Sequence, residues 1–148
     1  MAQEDGEGSI LKPALLATLH CTIGCTFGEV AGLAIGVSFG LGPWWSMAIG
    51  TVLAFISGLS LATIPLARSQ DLSLSKAFSM IWMGETASIA AMELAMNGAD
   101  YLLGGASVTS VVAARFWWAM GLAIPVGFAA AFPVNFYMIR RGLGHHHH

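Results

Sequence analysis

Four stretches of this chain, at about 13–41, 44–67, 74–96 and 111–139, stay apolar for longer than a small soluble domain can bury. A hydrocarbon layer about 30 Å thick takes about 20 helical residues to cross, so each stretch is long enough to span a bilayer. Lipid offers no water to the backbone, and such segments must satisfy their own N–H and C=O groups as helices. Composition points the same way: 56% of residues are hydrophobic and only 9% are charged, unlike ordinary soluble domains. The expected fold is all-α, an integral membrane bundle of four transmembrane helices with a glycine-rich first helix.

Punctuation between the spans sets the domain plan. An acidic N-terminal tail is expected over 1–12, a transmembrane domain over 13–141, and a C-terminal tail over 142–148. Pro13 suits a helix start, Gly40-Leu41-Gly42-Pro43 a tight turn, and Asn97 through Thr109 the longest loop. Gln3 to Glu7 is acidic and the apolar run after it is long, which argues against a cleavable signal peptide. His145 to His148 read as a purification tag, leaving His20 as the histidine to interpret. A net charge of -2 without a basic run excludes nucleic acid as a partner; the expected partner is the lipid bilayer.

If both termini share a side, Lys12, Arg68, Lys76, Arg140 and Arg141 fall on it, and Arg115 falls on the other. The positive-inside rule then predicts cytoplasmic termini in a bacterial inner membrane, with Trp44, Trp45, Trp117 and Trp118 in an outer interfacial belt.

Helix one carries Gly24, Gly28, Gly32, Gly36 and Gly40 at every fourth position. Glycine at this spacing lets a second backbone approach closely, which is how membrane helices pack. The row fits either another helix of the same chain or the same helix of a second subunit in a homo-oligomer.

Between those glycines lie His20, Cys21, Cys25 and Glu29. Ionisable groups are costly in hydrocarbon and ordinarily face a bundle interior or a watery cavity. On an ideal helix Cys21, Cys25 and Glu29 fall within about 80° of arc, while His20 sits about 100° behind Cys21. Helix three answers with Glu85, Met92 and Met96 near one line, flanked by Ser88, Glu93 and Asn97. Counting from Lys12 and Lys76 predicts two layers roughly 12 Å and 25 Å deep, His20 with Glu85 and Glu29 with Glu93. Two carboxylates at one depth must share a proton or meet a cation.

These segments resemble a bacterial family of small multi-pass membrane proteins known as a domain of unknown function. The resemblance rests on His-Cys-x-x-Gly-Cys-x-x-Gly-Glu at 20–29, on Thr86-x-Ser88-Ile89-x-x-Met92-Glu93 with Asn97, and on Phe132-Pro133-Val134-Asn135 followed by Arg141-Gly142-x-Gly144. It covers about 15–144, and Glu85 stands where family members tend to carry aspartate. It implies a multi-helix membrane fold and a shared site, without an activity.

Function therefore has to come from chemistry. Thiolate, thioether and imidazole favour soft or borderline ions, so the sequence predicts a site for Cu(I) or Zn(II). Its candidate ligands are His20, Cys21, Cys25, Glu29, Glu85, Met92 and Glu93, with Met96, Asn97 and Asn135 along a transport path. Two other classes stay open. One is an assembly protein whose polar residues join helices. The other is an enzyme, using either the dithiol with His20 as base or a metal-assisted hydrolase site.

Overall fold

The computed structural model describes residues 2–142, with side chains from Gly8 onward; the terminal histidines read as a tag lie outside the described residues. Four helices follow in order: α1 (Ala2–Ser38), α2 (Pro43–Ser69), α3 (Leu74–Leu103) and α4 (Ala114–Arg140). They form a four-helix membrane bundle, and no strand occurs among the described residues. Sequential neighbours pack side by side, α4 closes the ring against α1, and α1 touches α3 across the middle.

Three helices, α1 from Gly8, α2 and α4, are long and apolar enough to cross a membrane on composition alone. The third helix is 30 residues long and packs between α2 and α4. Its lower hydropathy comes from Glu85, Glu93 and Asp100, which are all turned inward and buried. Side chains such as Phe27, Val52, Leu94 and Trp118 cover the outside, where hydrocarbon replaces water as their solvent.

Two element boundaries differ from the sequence reading. The first helix begins at Ala2 instead of Pro13, so the proline lies inside it and the expected tail is helical. Proline removes one intrahelical bond, yet a helix can run through it when its neighbours relieve the freed carbonyl. The third helix continues past Asn97-Gly98 to Leu103, where a loop was expected. Asn97 donates to the Glu93 carbonyl at 2.9 Å, which ties its side chain to the helix it would otherwise end. Gly104, at φ 78°, supplies the left-handed stop instead.

The α1 glycine row is met by a matching row on α2. Gly24 lies against Gly58, Gly28 against Ala54, Gly32 against Gly50, and Gly36 against Ser46. A Cβ at Gly24 would stand 2.8 Å from the Gly58 Cα, and one at Gly28 or Gly32 would strike α2 backbone. The close approach also lets Ser57 Oγ donate across the seam to the Gly24 carbonyl at 2.5 Å. The row is thus occupied within the chain. Gly40 departs from it: it lies beyond the end of α1, at φ 65° with nothing near its missing side chain, and serves the turn.

Candidate functional site

Packing α1 this closely on α2 leaves its other inner face to meet α3 and α4. That face carries Thr18, Cys21, Thr22, Cys25 and Glu29, all buried. The two cysteines are one helical turn apart, and their Sγ atoms stand 3.7 Å from each other. Met92 of α3 brings its Sδ to 4.0 Å from Cys21 Sγ. Ser88, one turn earlier on α3, donates its hydroxyl to Cys21 Sγ at 3.6 Å. Cys25 and Met92 are fully shielded, and Cys21 is 3% exposed. The result is a dry cluster of three sulfur atoms between α1 and α3.

One turn beyond Cys25, the Glu29 carboxyl faces that of Glu93 across the bundle. Both Glu29 oxygens and Glu93 Oε1 are buried without a hydrogen-bond partner. Glu93 Oε2 accepts from Asn97 Nδ2 at 3.3 Å, and the same amide reaches Thr51 Oγ1 of α2 at 3.1 Å. Toward the α3 C-terminus, buried Asp100 lies within electrostatic reach of Glu29 and accepts the backbone N–H of Ala106. At the opposite end of the site, Asn135 of α4 donates to Thr18 Oγ1 at 3.0 Å, which joins α4 to α1.

The glutamate layer therefore lies where the lysine count puts it. The lower layer does not. Cys21 meets Ser88, not the residues level with Glu85, a slip of roughly one turn that helix tilt produces readily. His20 is exposed on the outer face of α1, beside Leu61, Pro65 and Ser69 of α2, whereas Glu85 is buried on α3. The expected His20 and Glu85 pair is corrected accordingly: with Cys21 turned inward, the residue about 100° behind it must look outward. Met96 lies in the core against Gly127, where a Cβ would come within 2.9 Å of its sulfur. Among the described residues, no three His, Cys, Asp or Glu side chains converge as a metal ion would need.

Thr18, Thr51 and Asp100 complete this polar core and were not singled out from sequence. A lone threonine in an apolar helix carries no local signal, because its meaning depends on the partner helix. Asp100 could have been found by extending α3's acidic face about two more turns, from Glu93 over seven residues.

A multi-pass helical membrane protein with a buried thiol and thioether cluster beside facing carboxyls is the class that this fold and site define. The chain belongs to the family described as a domain of unknown function (DUF4396), which it matches over residues 12–144. No curated protein matches it, and no solved structure does.

Proposed function

We propose that this protein binds Cu(I) inside the membrane through Cys21, Cys25 and Met92, and passes the ion across the bilayer. The observation that carries this reading is the sulfur spacing of 3.7 Å and 4.0 Å. Sulfurs bound about 2.3 Å from one ion stand about 3.8 Å apart in a tetrahedron and about 4.0 Å apart in a trigonal plane. Both spacings from Cys21 are thus close to those that a shared ion would set. Two thiolates and a thioether are a soft donor set, which favours Cu(I) over Zn(II), whose usual fourth ligand would be imidazole or carboxylate. His20 faces away from the cluster, and the Glu29 carboxyl faces Glu93.

Binding requires both thiols to lose their protons. Glu29, one turn along the same face, is the nearest base on α1 that can take one. Glu29, Glu93 and Asn97 then form the continuation of the path toward the α3 C-terminal end. The charge distribution supports cytoplasmic termini in a bacterial inner membrane: Lys12, Arg68, Lys76, Arg140 and Arg141 all lie at one end of the bundle. Since α2 occupies the α1 glycine row, a homo-oligomer would form through another surface.

A packing role is the second reading, favoured by the Ser88 and Met92 contacts that already engage Cys21. The deciding experiment is copper stoichiometry on tag-free protein loaded under reducing conditions, with X-ray absorption to identify the ligand atoms. One copper per chain in a sulfur-only shell is expected, lost in the Cys21→Ser/Cys25→Ser variant. Equal copper in the wild type and that variant would leave packing as the function of the cluster.

A further inference from the structure

We propose that the lateral cleft between α2 and α3 binds a lipophilic organic cation drawn from the surrounding lipid. The cleft has a volume of about 640 Å³, within the roughly 300–1,000 Å³ usual for small-molecule sites. Trp44, Met47, Phe55, Leu94 and Tyr101 form its walls. Trp44 and Leu94 are 69% and 79% exposed, so the mouth opens sideways on the surface that hydrocarbon covers. A water-soluble ligand would have to cross lipid to enter, whereas a membrane-dissolved one would not.

The floor gives the ligand its charge. Glu93, Asn97 and Thr51 close the cleft from inside. Glu93 is 3% exposed and Asn97 9%, and Glu93 Oε1 and Asn97 Oδ1 both lack a hydrogen-bond partner. The Glu93 carboxyl faces that of Glu29 behind this floor, and a positive charge in the cleft offsets the cost of two buried acids held together. The Trp44 and Tyr101 rings, 5.3 Å apart and tilted by 34°, form an aromatic part of the wall. A desolvated cation gains from such rings as well as from the carboxylate. An anion would meet like charge, and a neutral lipid chain would leave the acceptors unpaired. A small hydrated metal ion would make no use of the aromatic walls.

This site shares no ligand with the sulfur cluster, and its test contains no copper, so either proposal can fail alone.

Equilibrium binding of radiolabelled tetraphenylphosphonium to the purified full chain tests it. Saturable binding at one per chain is expected. Glu93→Gln should reduce affinity at least tenfold. Trp44→Ala should also reduce it severalfold, and this exposed rim position keeps the test valid if the glutamine variant melts. Trp118→Ala, on α4 away from the cleft, should bind as the wild type does. Equal binding by wild type, Glu93→Gln and Trp44→Ala would overturn the proposal, as would equal competition by uncharged tetraphenylsilane. Absence of probe binding together with a dimer that Trp44→Ala dissociates would assign the cleft to a second copy and overturn it too.

Discussion

Glu29 of α1 and Glu93 of α3 face each other in the bundle core, and a third acid, Asp100, lies within electrostatic reach of Glu29. The lysines and arginines after Lys12 sit at helix ends or in the turns beside them, and Lys12 lies on the N-terminal part of α1, seventeen residues before Glu29. Two buried carboxylates cannot both remain charged in such a place without a cation between them. The pair must therefore share a proton or meet a cation, and it stands between the sulfur cluster and the α2 and α3 cleft.

Removing that exchange should affect movement more than capture. Glu29→Gln preserves shape and hydrogen-bonding capacity, so bound Cu(I) per chain should stay unchanged. Copper uptake by proteoliposomes should fall about tenfold, the scale of one lost charge-assisted interaction. Unchanged uptake would remove the carboxyls from the path.

The thioether can be tested apart from the thiols. Met92→Leu conserves volume and should cost less than about 1.5 kcal/mol of stability. It removes the third sulfur, and Cu(I) affinity measured by competition with a chelator should drop about tenfold or more. An unaltered affinity would mean that Met92 only packs against Cys21.

Copper binding should also depend on pH with a fixed sign. The ion takes thiolates, so each thiol proton displaced makes binding weaker as pH falls, by up to about tenfold per unit for each proton released. Chelator competition at several pH values reads the slope directly. A flat profile would be incompatible with ligation by the two cysteines.

Glycine substitutions should separate by what each would meet. Gly28→Leu drives a side chain into the backbone of Leu53 and Ala54 and should cost about 3 kcal/mol or more, seen as a lost or strongly lowered Tm. Gly121→Ala meets nothing within 4 Å and should gain about 0.5–1 kcal/mol from helix propensity. Gly105→Ala should destabilise, because its Cβ would meet the Asp100 carboxyl and Ala119. Equal melting of all three variants would contradict the packing described.

Topology follows from helix order and charge. Single cysteines at Gln70 and Ser107, both exposed and at opposite ends of the bundle, should label from opposite sides of the membrane in a Cys21→Ser/Cys25→Ser background. Labelling of Gln70 from the periplasmic side and Ser107 from the cytoplasmic side would reverse the proposed orientation.

What the sequence made legible was what one helix repeats along itself. The glycines from Gly24 to Gly36 and the cysteine pair fall at four-residue steps, so a helical wheel alone puts each set on one face. The common depth of Glu29 and Glu93 could also be counted from the flanking lysines. Relations that depend on tilt could not: Cys21 meets Ser88 because α1 and α3 do not run level, and no count of residues contains that offset. His20 shares a motif with Cys21, yet adjacency in sequence sends the two to different faces. The answering row on α2, Ser46, Gly50, Ala54, Gly58 and Ala62, carries a weaker signal because only two of its five members are glycine.

The paired small residues of α1 and α2 carry a mechanical consequence. Backbones in contact at four successive levels cannot slide or tilt against each other without colliding, so these two helices must travel as one stiff plank. Any working stroke that exposes the sulfurs or the carboxyls to alternate sides has to come from α3 and α4, swinging against that plank about their joints with it.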